Sequence, residues 1–214
     1  MSAVRAAVFS MLTALWHGNG QTGGTFPGQL RWLDLYAGTG AVGIEALSRG
    51  AANAHFVELD PWIIQNCLRR NLEHTQCATE AMVHTMTVET YLSEAEKNLR
   101  IAGGSAFDMI SVCPPYDKVS YPELMACLER SPLVKPGTLL VVEFPKYERK
   151  TMVPRIGRLA RVRDRRYGRT LVAVYECVAD DDSLLSDARA AERDRLDGYG
   201  VDDEDYDEAE EDEP

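Results

Sequence analysis

The sequence has no apolar run approaching the ~20 residues that a membrane-spanning helix needs, so a helical membrane protein is excluded. No basic stretch followed by an apolar segment opens the chain, and no secretory leader is expected. Cysteine is sparse and unpatterned. Cys67, Cys77, Cys113, Cys127 and Cys177 are odd in number and none stand at C-x-x-C spacing, which points to reduced thiols in an intracellular compartment and against a disulfide framework or zinc site. His17, His55, His74 and His84 show no ligand spacing either, so no metal is expected. There is no internal repeat. The expectation is a soluble, monomeric protein of the cytoplasm or, in a plant or alga, of the chloroplast, with no membrane partner.

Basic charge is also scarce: 23 Lys and Arg face 34 Asp and Glu, for a net charge of −11. The deficit is local. Residues 179–214 hold 17 acidic and 3 basic residues, so residues 1–178 carry a net +3. The end, "DGYGVDDEDYDEAEEDEP", has almost nothing to bury and cannot offset its ordering entropy, so it reads as disordered. "SLLSDARAAERDRL" before it reads as a short helix. The division is therefore a folded domain over 1–178 and an acidic tail over 179–214.

What is present is 214 residues at 45% hydrophobic content, enough for one α/β core. Strand-like runs alternate with helical patterns. "VRAAVFSMLTAL" has helical spacing and "GNGQTGGTFPGQ" is a Gly-rich loop. "LRWLDLYAG" reads as a buried strand, and "AVGIEALSRG" as a helix closed at Gly50. "AHFVELD" is a second strand, followed by helix "PWIIQNCLRRNLEH" with Asp60 as N-cap and Pro61 in its first turn. Strand "AMVHTM" precedes helix "VETYLSEAEKNLR". Strand "FDMISVC" precedes helix "YPELMACLER", strand "GTLLVVEF" and a hairpin turning near Tyr167-Gly168. The pattern predicts a Rossmann-like, mostly parallel seven-stranded sheet with helices on both faces and a C-terminal antiparallel hairpin.

Gly38, Gly40 and Gly43 follow the first strand and open a helix, the position at which doubly wound sheets bind ligands. G-x-G by itself also serves dinucleotides. Two acids narrow the choice. Asp34 lies four residues before Gly38, and Glu58 ends the next strand 20 residues after it. A carboxylate at Glu58 suits the two hydroxyls of an adenosine ribose. The D-x-x-x-G-x-G form favours S-adenosylmethionine, with Asp34 anchoring the loop and facing the cofactor's ammonium group.

"LDLYAGTGAVGIEALSRGA", "FVELD", "CPPY" at Cys113–Tyr116, "YGRTLVAVYE" and, at the N-terminus, "VRAAVFSML" together resemble the bacterial-type small-subunit rRNA guanine-N2 methyltransferases over about residues 3–177. The resemblance implies a class I methyltransferase fold and methyl transfer from S-adenosylmethionine to a guanine N2 amine in rRNA or a small-subunit assembly intermediate. It assigns Asp34, Tyr36, Gly38, Gly40, Glu58 and Thr87 to the cofactor, and Cys113, Pro114, Pro115 and Tyr116 to catalysis. Three departures stand out. Cys113 replaces the family's Asp or Asn. Thr87 falls where the family often has an acid near the adenine. The family's N-terminal hairpin with its Arg-Pro-Thr segment does not precede the first helix, and its contribution to the substrate and cofactor environment is expected to be missing.

An exocyclic purine amine is a poor nucleophile, because its lone pair is delocalised into the ring. Two acceptors aimed at its hydrogens localise that pair towards the methyl donor. In D/N-P-P-Y these are the side-chain oxygen and the first proline's carbonyl; Tyr116 would stack on the flipped base, a contribution of ~1–3 kcal/mol. A thiol is a weak acceptor. Three alternatives stay open: Cys113 as a covalent nucleophile, a non-catalytic RNA-binding scaffold, and an adenine-N6 or glutamine-amide methyltransferase. Ten Lys and Arg between Lys146 and Arg169, among them Lys146, Arg149, Arg163, Arg165 and Arg166, against only Glu148 and Asp164, suit a phosphate-contacting surface or a charged sheet edge.

Overall fold

The computed structural model describes residues 2–17, 25–26, 28–101 and 104–179. The expected tail and its short helix lie outside the described residues, as does most of the Gly-rich loop at 18–24. Among the described residues, eight strands form one sheet: β1 (Arg31–Leu35), β2 (Asn53–Glu58), β3 (Ala81–Thr85), β4 (Phe107–Val112), β5 (Val134–Pro145), β6 (Arg155–Ile156), β7 (Leu159–Tyr167) and β8 (Thr170–Cys177). Their order is β3-β2-β1-β4-β5-β8-β7-β6. The first five in this order pair in parallel, and β8, β7 and β6 add antiparallel pairs. The expected architecture holds, with one strand more than the seven read from sequence. The addition is the two-residue β6, which pairs with Leu159 and Ala160 of β7. Two residues are too short to carry a period-2 signal.

Burial explains the strand order. β1 and β4 lie inside the sheet and are buried nearly throughout, with apolar residues on both of their faces. β3 ends the sheet and alternates in exposure. Alternation splits the core into two layers. Leu33, Leu35, Val57, Ile110, Val112, Leu140 and Val142 face α5 (Val88–Ser93), α6 (Ala95–Ile101) and α7 (Tyr121–Arg130). Trp32, Phe56, Met109, Leu139 and Val141 face α1 (Ser2–His17) and α2 (Ala41–Ser48). On α1, Phe9 stacks on Trp32 at 5.3 Å between ring centroids, and both are fully buried. Each such ring contributes roughly 1.5–3 kcal/mol by leaving water. On α7 the buried positions Tyr121, Leu124, Met125 and Leu128 follow i, i+3, i+4, i+7 spacing.

Local signals act where expected. Asp60 caps the helix that begins at α3 (Pro61–Ile63), accepting from the Trp62 amide at 2.8 Å. That helix widens into a π-helical turn, Ile64–Leu68, before α4 (Arg69–His74). Past α2, Gly50 at φ 100° donates to the Leu47 carbonyl at 2.9 Å, and Ala51 donates to Ala46 at 3.0 Å, a glycine-closed C-terminus. The single helix read over "VETYLSEAEKNLR" is interrupted at Glu94, whose backbone leaves helical geometry.

Candidate active site at the carboxyl edge of the sheet

Strand register brings the glycine loop and the Pro-Pro-Tyr corner side by side. β1 and β4 are neighbours with Leu35 opposite Val112, so the chain leaves both strands at the same level, at Tyr36 and Cys113. The order reverses here: β2 and β3 extend to one side of β1, and β4 and β5 to the other. That is the switch point at which open α/β sheets bind ligands.

The loop turns on left-handed backbone at Tyr36 (φ 58°), Gly38 (φ 54°) and Gly40 (φ 78°). Tyr36 is the costly one, because a side chain at positive φ is strained. Its hydroxyl donates to Glu89 Oε1 at 3.0 Å. A Cβ on Gly38 would meet nothing within 4 Å, so the space beside its backbone is open to a ligand. Gly43 is the opposite case: a Cβ there would overlap the Phe56 ring, 2.8 Å from Cζ, and sit 3.2 Å from Asp34 Oδ2.

Asp34 holds this turn from below. It is 1% exposed; Oδ2 accepts the Gly43 amide at 2.9 Å, and Oδ1 accepts the Ser111 hydroxyl at 2.6 Å. Ser111 in turn accepts the Trp32 indole N–H at 2.9 Å, giving a buried relay from β1 to β4 and back. Burial pushes the Asp34 carboxyl up to about 7, against the pull of Ser111 and Gly43. Both of its oxygens face inward in this conformation, towards the loop it anchors. Glu58, half-buried at the end of β2, accepts the Gly38 amide at 2.8 Å and the Asp60 amide at 2.9 Å. Thr87 follows β3 and caps α5, its hydroxyl accepting from the Thr90 amide at 3.0 Å. The backbone beside it is tied to β2 through Met86 N–H to the Glu58 carbonyl at 3.1 Å.

At the corner, the Tyr116 hydroxyl donates to Glu143 Oε1 at 2.6 Å and lies 3.0 Å from Thr170 Oγ1. The Cys113 thiol lies beside the same carboxylate. Burial, with the Asp34 and Glu143 carboxylates nearby, pushes that thiol well above its ordinary range. A nucleophilic cysteine needs the reverse, a site that favours thiolate, so this environment opposes the covalent reading. The Tyr116 phenol is pushed up to about 12 by burial and by Glu143. Tyr121, the first residue of α7, donates to the Glu143 carbonyl at 3.1 Å and ties the helix start to the same strand end.

Glu143, Ser111 and Thr170 were not singled out from sequence. The signal for Glu143 is a lone acid closing the apolar run "LLVVE", the same form as "FVE" at Glu58. Ser111 and Thr170 have no such mark.

The basic residues do not form one face. A register shift in β7 between Arg161 and Arg163 resets the alternation. Arg163, Arg165 and Tyr167 then face α1, lining a groove of about 260 Å³ with Ala7, Met11, Ala14 and Leu15. Arg166 alternates to the opposite face and donates to the Gly168 carbonyl at 2.9 Å. Lys146 and Arg149 lie in the 3-10 turn after β5. Lys146 joins the hairpin tip through its amide, which donates to the Arg169 carbonyl at 3.2 Å. Among the described residues, no three His, Cys, Asp or Glu gather as a metal site, and no helix is long and apolar enough to cross a membrane.

Known proteins share this architecture. The family described as conserved hypothetical protein 95 matches residues 1–176. YlbH of Bacillus subtilis, named as a provisional rRNA methyltransferase, is 29% identical over 174 residues, covering 81% of this chain and 84% of its own. Ribosomal RNA small subunit methyltransferase D of Haemophilus influenzae is 31% identical over 119 residues, covering 55% of this chain and 58% of its own. The solved structure of a conserved hypothetical protein from Streptococcus pyogenes superposes with a TM-score of 0.66 at 26% identity, covering 80% of this chain and 94% of that one. The chain belongs to the conserved hypothetical protein 95 family and has a Rossmann-like methyltransferase fold.

Proposed function

We propose that this protein methylates an exocyclic amine in RNA, the N2 amine of a guanine in small-subunit rRNA. The observation that carries this reading is the register of β1 and β4, which puts the glycine loop and the Cys113-Pro114-Pro115-Tyr116 corner beside each other at one sheet edge. A methyl donor held by the loop then stands next to a base held by the corner, and proximity of this kind supplies much of a transfer reaction's rate. The relatives named above, with their rRNA methyltransferase names, support RNA as the substrate class.

The residues present fit the donor. Glu58 carries carboxylate lone pairs at the end of β2 beyond those used by the Gly38 and Asp60 amides, and these suit ribose hydroxyls. The open space beside Gly38 admits a ligand close to backbone. Asp34 acts through the loop, holding Gly43 in place. When bound, S-adenosylmethionine supplies an electrophilic methyl group.

The base must leave its stack to reach the corner, as substrates of base-modifying enzymes do. Tyr116 supplies an aromatic face for it. The Pro114 carbonyl supplies one acceptor for the amine hydrogens. Lys146, Arg149, Arg163, Arg165 and Arg166 supply phosphate contacts distributed around the β7–β8 hairpin and the end of β5 rather than on one plane.

The test is transfer of labelled methyl to a small-subunit rRNA fragment, with the modified nucleoside identified by mass spectrometry. N2-methylguanosine supports the reading. N6-methyladenosine replaces the target, and transfer to a glutamine amide in a protein replaces the substrate class. Cofactor binding without transfer to any acceptor leaves an RNA-binding scaffold.

A further inference from the structure

The corner as read from sequence lacks an oriented acceptor at Cys113. The structure places one a strand away. On the α1 side of the sheet, the apolar rows end in polar residues at the carboxyl edge: Asp34 on β1, Ser111 and Cys113 in line with β4, Glu143 on β5 and Thr170 on β8. Val112 pairs with Val142, so Cys113 and Glu143 are the next positions on neighbouring strands and share that side. Glu143 is half-buried, accepts from the Tyr116 hydroxyl of the corner at 2.6 Å and lies beside the Cys113 thiol. Its carboxylate therefore stands at the position 113 end of the corner, beside the tyrosine that would hold the base.

We propose that Glu143 is a catalytic residue of the amine methylation, its carboxylate providing the acceptor that Asp or Asn would provide at position 113. The inference rests on the reading of the site as an amine methyltransferase. Three features favour it. The thiol at 113 is a weak acceptor, and burial beside the Asp34 and Glu143 carboxylates favours its protonated form, so it offers little to an N–H. The carboxylate has two oxygens with room for several hydrogen bonds, so accepting from Tyr116 does not exhaust it. Its backbone is also fixed, with its carbonyl accepting from Tyr121 and its strand paired on both sides. In the transfer, the N–C bond to the methyl forms as the S–C bond of the donor breaks, leaving a thioether. The amine's surplus proton passes to the Glu143 carboxylate and then to water. An acid on a fixed strand thus performs both tasks, aligning the lone pair and removing the proton.

The experiment measures single-turnover methyl transfer to the rRNA fragment, S-adenosylmethionine affinity by calorimetry, and Tm. Glu143→Ala is expected to lower transfer about 10²-fold, the order seen when one oriented polar group is removed from an active site, with cofactor affinity within about threefold. Adding Cys113→Asn to Glu143→Ala restores an acceptor at the corner without a second carboxylate, and is expected to recover at least about tenfold. A residue that merely supports the corner would not be rescued this way. Glu143→Gln keeps the volume and an acceptor for Tyr116 but not the proton acceptance; it is expected to lose about tenfold or more. It decides the matter if the alanine variant does not fold. Wild-type transfer by Glu143→Gln, or a folded Glu143→Ala that Cys113→Asn fails to lift, overturns the role of Glu143 alone. If wild-type protein transfers no methyl to any RNA amine, the reading beneath it falls and this inference falls with it.

Discussion

Gly43→Ala is a one-methyl change whose outcome depends on competing magnitudes. Gly43 is the third residue of α2, where alanine is the better helix former by roughly 0.8–1 kcal/mol. Against this gain, the new methyl would overlap the Phe56 ring and stand 3.2 Å from the Asp34 oxygen that accepts the Gly43 amide. Phe56 is fully buried, and Ile44 and Leu68 belong to the same layer, so the ring has little room to retreat. Overpacking of this kind costs about 1–3 kcal/mol. The net expectation is a loss of up to about 2 kcal/mol, which for a domain of this size lowers Tm by up to about 8 °C. The displaced turn also carries Gly38 and Gly40, so S-adenosylmethionine affinity should fall with it. Differential scanning calorimetry and titration calorimetry read both effects. Phe56→Leu in the same chain makes room for the methyl, and the double variant should be more stable than the sum of the single effects. A Gly43→Ala protein with unchanged Tm and unchanged affinity, or strict additivity with Phe56→Leu, would refute the close-approach argument.

Glu58→Ala removes a carboxylate suited to two ribose hydroxyls; each charge-assisted bond is worth ~1.5–3 kcal/mol, so calorimetry should show S-adenosylmethionine binding weakened at least tenfold, and unchanged affinity would remove Glu58 from the cofactor site. His55 and His84 lie buried with ring nitrogens 3.1 Å apart, and burial with the neighbouring His84 and Arg31 lowers His55 from 6.5 to about 4. Because the folded pKa is depressed, the unfolded chain takes up the proton first; the contribution is fully present above pH 6.5 and is lost as pH falls towards 4, by about 3 kcal/mol at ~1.4 kcal/mol per unit. Urea unfolding across that window should therefore be steeper in pH for wild type than for His55→Gln, and equal slopes would contradict the buried-pair account. Deleting residues 180–214 removes a net −14 from a body of net +3, so RNA binding at low salt should tighten; binding no tighter than that of the full chain would sink the idea that the acidic segment competes with RNA.

Much of this protein is written locally. The alternation of strands and helices, the closure of α2 at Gly50 and the cap at Asp60 each depend on residues within one turn of one another, so period and turn chemistry suffice to read them. The glycine loop and Glu58 are legible for a related reason: in a parallel β-α-β unit, consecutive strands lie side by side, so an acid 20 residues on returns to the loop. One local reading needed correcting, and one pattern was refined by packing. The single helix read over Val88–Arg100 is interrupted at Glu94, and the alternation of the basic run in β7 is reset by a register shift between Arg161 and Arg163.

The chemistry of the corner was decided by tertiary structure. Glu143 lies 27 residues from Tyr116 and Thr170 lies 54 residues from it, yet all three meet. Ser111 reaches Asp34 across 77 residues. No periodicity within a strand encodes such contacts, because they depend on which strands become neighbours and in what register. That register is set by burying two apolar layers at once, Leu35 and Val142 on one side and Trp32 and Val141 on the other. Once those layers are packed, the polar residues that end each row have nowhere to go but the shared carboxyl edge, and the Glu143 carboxylate comes to rest against Cys113 and Tyr116.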